Sequence, residues 1–356
     1  MSTKKKNADY LKQGGILAMA SLIVRIIGMV YRIPMSNILG EEGNGIYAVA
    51  FEIYDLILII SSYSLPLALS KMISARQANR EHKNTGRILK VALRFAIISG
   101  GAFALILFFG AGVIEHTIYP EYSGVQIPLR VLAPTIFIVA LLGVFRGFFQ
   151  GLQNTLPTAV SQIVEGLINA IMSVVFAYFL FDFGHGMDAA GGTTDLGYAW
   201  GAAGGAIGTG AGALAGLIFC FILFVAYRKI LAVNISRDKT GTQQEYGDIF
   251  RLMLSIALPV ILSTALYNLI ELVEGSLFNN IMASKGMEDV KDSMWGAYNA
   301  KALLLVHIPV SISSAMAVSL VPTLTAAYAL GDEQTARSKV HAILRFISIL
   351  AFPSAV

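Results

Sequence analysis

The sequence predicts an all-α integral membrane protein, a two-lobed helical bundle with parallel six-helix repeats whose second lobe is incomplete in this chain. Three observations carry that expectation. Hydrophobic residues make up 56% of the chain and charged residues only 13%, with a mean hydropathy of +0.68, where a soluble domain carries about 25% charged residues. Apolar runs of bilayer-crossing length, ~20 residues, recur along the whole chain. Finally, two segments of the chain align at one constant offset.

Taken in order, the apolar runs are roughly 13–38, 44–72, 88–113, 126–149, 157–181, 197–227, 249–281 and 296–327, with a ninth beginning near 339. The first follows the basic start MSTKKKNADYLK. It is too long for the apolar region of a cleaved signal and lacks a small-residue cleavage motif, so it reads as a retained anchor. The second to third connection holds Lys71, Arg76, Arg80, Lys83, Arg87 and Lys90, the sixth to seventh Arg228, Lys229, Arg237 and Lys239, and the eighth to ninth Arg337 and Lys339. The alternate connections carry Glu41, Glu42, Glu115, Glu121, Asp182, Asp188 and Asp195. Basic loops stay in the cytoplasm, so a multi-pass membrane protein with its N-terminus inside is expected. Cys220 is the single cysteine, which excludes an internal disulfide and a CxxC metal site.

Shifting the chain by 251 residues sets Gly45-Ile-Tyr47 on Gly296-Ala-Tyr298 and Arg94-Phe95 on Arg345-Phe346, with no gap. Between these, Ser62 falls on Ser313, Leu69 on Leu320, Ala75 on Ala326 and Glu81 on Asp332. Six spans separate the copies, and an even number preserves orientation, so the repeats are parallel about an axis along the membrane normal. The first lobe is therefore expected over residues 1–235, with spans one to six, and the start of a second over 236–356, with spans seven to nine. Because the second copy stops after three spans, the chain is expected to be a fragment.

Charges inside the spans point to the site. Arg25 and Arg32 lie seven residues apart, 700° of helical rotation and 20° short of two turns, on a stripe with Gly14, Ser21, Gly28 and Ser36. A charge in a span costs about 3 kcal/mol or more and rarely faces lipid. The stripe should face protein or a water-filled cavity suited to an anion. At ~1.5 Å per residue from the span centres, Arg32 lies about 9 Å outward of the midplane, Asp55 about 4 Å, Glu52 about 9 Å, Glu271 about 6 Å and Glu274 about 10 Å. One face of span two carries Ala48, Glu52, Asp55, Ile59 and Ser62, and one face of span seven Thr264, Tyr267, Glu271 and Glu274. The expected substrate contacts are Arg25, Arg32, Glu52, Asp55 and Tyr267. Glu271, Glu274 and His307 are the candidates for binding a coupling Na+ or H+, and Ser311 and Ser314 share the face of His307. An ion pair of Arg32 with Glu52 or Asp55 that merely fixes helix packing is the plain alternative for these charges. Arg146 and Glu165 flank the turn between spans four and five and read as a structural pair or part of an inner gate. Gly201–Gly216 contains a nominal GxGxxA at Gly208, Gly210 and Ala213. It lacks the preceding strand of a nucleotide site and reads as close helix packing. Pro34, Pro66, Pro259 and Pro309 are candidate kinks.

The runs Arg25-Ile-Ile-Gly28, Tyr31-Arg32-Ile-Pro34, Leu39-Gly40, Gly45-Ile-Tyr47 and Leu65-Pro66-Leu-Ala-Leu-Ser70-Lys71 resemble the stage V sporulation protein B/YtgP group. Arg146-Gly147-Phe-Phe-Gln150-Gly151, with Pro157 and Thr158 after it, does so too. That group belongs to the multidrug/oligosaccharidyl-lipid/polysaccharide exporter superfamily, with MurJ-type lipid II flippases as relatives. The resemblance implies two six-helix lobes moving by alternating access. It also implies export of an undecaprenyl-pyrophosphate-linked saccharide to the outer leaflet of a bacterial cytoplasmic membrane, where Arg25 and Arg32 are expected to grip the pyrophosphate because a guanidinium fork suits phosphate oxygens. Arg25 matches the family's Arg-x-x-Gly, whereas MurJ-type proteins often carry a second cation six residues on, followed by Asp; here that place is Tyr31, Arg32 follows, and no Asp does. A cation-coupled multidrug antiporter of the same fold is the alternative, and would favour a more acidic cavity in lobe one. A membrane glycosyltransferase or polymerase would need a catalytic acid or His cluster on long loops, and the Gly-rich 182–197 connection offers none. A non-enzymatic monomer is expected, with the lipid-linked saccharide and the membrane as partners, no nucleic acid, and no cofactor or metal beyond the coupling ion.

Overall fold

The computed structural model describes residues 3–119, 123–189, 196–287, 304–329 and 331–355. Among these the regular structure is helical, with no strand: α1 Thr3–Leu58, a five-residue π-helical segment Ile59–Tyr63, α2 Leu65–Ala78, α3 His82–Ile118, α4 Gln126–Gly151, α5 Leu156–Ala189, α6 Leu196–Ser236, α7 Tyr246–Ser284, α8 Leu304–Ala329 and α9 Glu333–Ala355. The chain is a multi-pass membrane protein. α1 with its continuation α2, then α3 to α6 and the first half of α7, are each long and apolar enough to cross a bilayer. Ile98 is 71% exposed and Phe109 75%, which suits helix faces that meet lipid chains instead of water.

The first two spans are two helices, as the sequence predicted, joined by a tight turn at Gly40 just ahead of Glu41 and Glu42. The helical pattern runs on through them, broken at Gly40, whose φ of 64° and ψ of −169° lie outside helical space. Met35 and Tyr47, twelve residues apart, nevertheless converge beside Gly205, where an added Cβ would stand 3.3 Å from Met35 Cε and 2.7 Å from Tyr47 Cε2. In a straight helix those two would stand ~18 Å apart, so the chain doubles back at Gly40. The second span is interrupted as well. Pro66 occupies the start of α2 and has no N–H to donate back to residue 62, and the ladder loosens into the π-helical turn just ahead of it. Ser61 and Ser62, both buried there, share a 3.0 Å hydrogen bond.

Lipid tails are as apolar as leucine, so helices in a membrane associate through close packing and polar contacts instead of water exclusion. The α5–α6 pair shows how this sequence achieves it. A Cβ on Gly204 or Gly208 would collide with the backbone of α5 at Phe176 and Ser173, and one on Gly212 would stand 2.6 Å from the Glu165 carbonyl. The glycines of Gly201–Gly216 thus bring the two backbones together. Ser173 Oγ uses the proximity to donate to the Gly205 carbonyl at 3.0 Å. α4 lies on α2 in the same manner, since a Cβ on Gly147 would stand 2.7 Å from the Pro66 carbonyl and one on Gly151 2.7 Å from Ile73. Phe148, fully buried, holds ring contacts with Phe149, Phe224 and Tyr227 at 5.5–5.9 Å. At the other end of α4, the buried Glu115 carboxylate accepts the Gln126 N–H at 2.6 Å, an anion on a helix N-terminus.

The lobe boundary expected near 235/236 falls at the end of α6, but the first three turns of α7 pack with the first bundle. Ile249, Met253 and Ala257 belong to the same buried cluster as Leu65, Leu69, Ile88 and Phe148. The linker between α6 and α7 is tied down. The Asp238 carboxylate accepts the Lys83 N–H at 2.8 Å at the start of α3. Asn84 reaches the Thr242 carbonyl at 3.2 Å and accepts the Gln244 N–H at 3.0 Å. The Lys83 N–H, with the Thr240 hydroxyl and N–H, holds the Asp238 carboxyl down at about 2. A carboxylate depressed below its unfolded value near ~4 contributes stability in full above that value, and the contribution fades as pH falls toward 2. Asp238→Asn is therefore expected to melt lower than the parent at pH 7, with the gap closing toward pH 2. Equal melting at neutral pH would remove this role.

Beyond the first bundle, α8 lies against α1 and α2, and α9 against α8. Ile312 of α8 packs with Leu17, Ala18 and Ala20 near the start of α1, beside Ala159 of α5. The helices on either side of the linker thus meet at the end of the bundle where α1 begins. Residues 288–303, which include the repeat match at Gly296–Tyr298 and much of the eighth apolar run's start, lie outside the described residues.

Candidate functional site

At the opposite end, where the chain doubles back at Gly40, a cavity of about 590 Å³ opens. It is lined by Arg32, Met35 and Ser36 from the first limb of α1 and by Asn44, Tyr47, Ala48, Phe51, Glu52 and Asp55 from the second. The spacing follows from helix geometry. Arg32, Met35 and Ser36 share one face, and Asn44, Tyr47, Ala48, Phe51, Glu52 and Asp55 recur at three- and four-residue steps on the other limb.

Asn44 pins the bend. Its Nδ2 donates to Ser36 Oγ at 2.9 Å and to the Ser36 carbonyl at 3.1 Å, and it also faces the Gly40 carbonyl. Gly40 itself adopts a conformation open essentially to glycine alone. Its nearest neighbour for an added Cβ is Tyr198 Cε1 at 3.7 Å, an ordinary contact, so the constraint is backbone strain and not space. Gly40→Val is expected to cost about 1–3 kcal/mol and to lower the melting temperature in detergent. A variant melting with the parent would show that the bend tolerates a side chain.

Arg32, Glu52 and Asp55 are all exposed to the cavity. Among the described residues the ion pairs within 4 Å are Arg76–Glu81, Arg146–Glu165 and Arg337–Glu333, so no bridge closes Arg32 onto Glu52 or Asp55. The packing ion pair considered for these charges is absent. One guanidinium and two carboxylates share one open cavity with Tyr47 and Phe51.

The other expected site residues fall elsewhere. Arg25 is half-buried and does not line this cavity; seven residues carry it ~10.5 Å along the helix from Arg32. Tyr267 is 55% exposed on α7 and also does not line it. The side chains of Glu271, Glu274, His307 and Ser311 lie outside the described residues. Arg146 Nη2 donates to Glu165 Oε2 at 2.6 Å and its Nε to Ser161 Oγ at 2.9 Å, tying α4 to α5 beside their turn, where Gln150 reaches Thr158 Oγ1 at 3.3 Å. Asn44 and Phe51 went unrecognised in the sequence. The cluster Gly40-Glu-Glu-Gly43-Asn44-Gly45 was the available signal for Asn44, since Asn beside helix-breaking glycines caps backbone groups.

The sequence matches the polysaccharide biosynthesis protein family over residues 10–327. Among characterised relatives, the lipid II flippase MurJ of Bacillus subtilis (strain 168) is 26% identical over 98% of this chain and 64% of its own. Stage V sporulation protein B of the same organism is 28% identical over 89% of this chain and 58% of its own. The chain thus spans about three fifths of the length of these relatives. Among solved structures, a MATE protein in its straight conformation superposes with a TM-score of 0.74 at 15% identity, over 97% of this chain and 72% of that one. An outward-facing multidrug resistance MATE family transporter of the MOP superfamily gives 0.66 at 16% identity, over 96% and 72%. At these identities the structures speak for the two-lobed helical fold alone.

Proposed function

This chain belongs to the polysaccharide biosynthesis protein family, and from that premise we propose that the protein is a flippase for an undecaprenyl-pyrophosphate-linked saccharide, lipid II-like or another polysaccharide unit, working by alternating access in the bacterial cytoplasmic membrane. The observation that carries the reading is the cavity at the Gly40 bend, with Arg32 exposed in it beside Glu52 and Asp55. A guanidinium presents a planar fork that matches two phosphate oxygens. With the basic loops placed inside by charge, this cavity opens outward, and the contacts of α8 with Leu17, Ala18 and Ala20 form the inner seal. The described conformation is then the outward-facing one, the state that releases cargo to the outer leaflet. Arg25, lower on α1, would meet the headgroup in the inward-facing state.

Charge arithmetic adds coupling. With all three groups ionised the lining carries −1, which disfavours an anionic headgroup. Holding a proton or Na+ on Glu52 or Asp55 brings the lining to neutral and removes that penalty, so loading of the ion and of the headgroup assist one another. The same carboxylate excess favours the second reading, a cation-coupled antiporter binding a cationic drug. Glu52→Gln with Asp55→Asn separates them. The flippase reading expects lipid pyrophosphate binding to persist and to lose its dependence on pH and Na+. The antiporter reading expects cationic drugs to bind the parent and not the variant.

A further inference from the structure

Away from the cavity, the N-terminal third of α3 carries a stripe of cations that the transport reading does not use. Arg87, Lys90 and Arg94 follow at steps of three and four residues, on one helix face. Both Arg87 and Arg94 lie over the ring of Tyr246 at the start of α7, 5.0 Å and 5.7 Å from its centroid. Arg87 is further satisfied by the Gln244 carbonyl at 2.6 Å and Gln243 Oε1 at 3.0 Å. Lys90 and Arg94 are exposed and, among the described residues, neither meets a carboxylate within 4 Å. The acids flanking Tyr246, Glu245 and Asp248, are exposed and pair with neither.

Arg94 stands six residues inside the apolar run that begins near 88, ~9 Å below its edge. A cation at that depth reaches back to the headgroup layer with its aliphatic stem along the helix, and a tyrosine beside it sits naturally at the same level. Immediately deeper, Phe95 and Phe250 join α3 to α7 with ring centroids 6.0 Å apart. Ile97 and Ile98 are 51% and 71% exposed and Phe250 39%. Uncompensated cations at the border above an apolar shelf have the two-part chemistry of a lipid, a phosphate above and acyl chains below.

We propose that the α3–α7 corner binds an anionic phospholipid of the surrounding membrane, its phosphate between Lys90 and Arg94 beside Tyr246 and its acyl chains along Ile97, Ile98 and Phe250. Because α7 follows the linker between the two bundles and its first turns pack against α3, the lipid clamps that helix to the first bundle. The proposal does not depend on the flippase reading.

The test offers the purified protein equal amounts of phosphatidylglycerol and phosphatidylcholine with identical chains, and measures retained lipid by native mass spectrometry together with the melting temperature. The parent is expected to retain phosphatidylglycerol roughly tenfold over phosphatidylcholine and to melt higher with it. Lys90→Gln with Arg94→Gln should abolish the preference and the shift. Arg94→Lys, which keeps the charge, should retain most of both, and so should Arg228→Gln with Lys229→Gln, which removes cations elsewhere at the same end. Equal retention of the two lipids by the parent, or an unchanged preference in the Lys90/Arg94 variant, overturns the site. Displacement of the bound lipid by stoichiometric undecaprenyl pyrophosphate also overturns it, assigning the corner to cargo instead.

Discussion

Arg32→Gln is expected to lower transport of a lipid-linked pyrophosphate by about tenfold to a hundredfold, as follows from losing one charged fork worth ~1.5–3 kcal/mol. Folding should be unaffected. Arg32 is exposed on the cavity wall and takes part in no ion pair among the described residues, so its removal leaves no buried carboxylate stranded. Arg32→Lys should fall between, since an ammonium keeps the charge and loses the planar two-point contact. The readout is flipping of a labelled lipid in proteoliposomes, normalised to folded protein. Undiminished flipping by the glutamine variant would remove Arg32 from cargo binding and return it to a cavity-wall residue.

Gly208→Leu is expected to cost more than any cavity substitution, but in folding and not in transport. A Cβ alone at this position collides with the Ser173 hydroxyl and backbone on α5, and backbone cannot step aside as a flexible side chain can. Forcing the helices apart also breaks the Ser173 bond to the Gly205 carbonyl. Overpacking of a tight contact costs about 1–3 kcal/mol or more, and here the whole α5–α6 seam must open. Folded yield in detergent should collapse, read as loss of the monodisperse peak in size-exclusion chromatography. Gly110→Ala is the control: nothing lies within 4 Å of a Cβ there, and alanine is the better helix former by about 1 kcal/mol. A monodisperse Gly208→Leu protein would contradict the account of how these helices pack.

Much of this was readable in the chain because membranes impose simple rules. Apolar length fixed the helices α3 to α6, and the glycine run at 201–216 announced a close helix pair. Counting residues outward from span centres put Arg32, Asp55 and Glu52 in the outer half of the membrane, and all three line one cavity. Tyr267 was chosen by its face on span seven, and it does not line this cavity, because a face within one helix does not say which way that helix points once α7 leaves the first bundle. Arg25 shares a face with Arg32 but lies outside this cavity, since the axial rise separates the two side chains. Two features needed three-dimensional neighbours. The doubling back at Gly40 rests on one backbone conformation and on the bond from Asn44 to Ser36, where the sequence offered only a polar loop. The attachment of α7 to the first bundle rests on Ile249, Met253 and Ala257 meeting α2 and α3 side chains, and periodicity within α7 cannot name its partners.

The proposed cavity opens outward and takes a lipid pyrophosphate. It is tested most directly by Ala48→Cys, which places a thiol on the cavity wall, while the native Cys220 is buried. In cells or right-side-out vesicles, a membrane-impermeant maleimide should label that thiol from outside. Added undecaprenyl pyrophosphate should protect it, and undecaprenol, lacking the phosphates, should not. Labelling only from the cytoplasmic side, or equal protection by both lipids, would contradict the account.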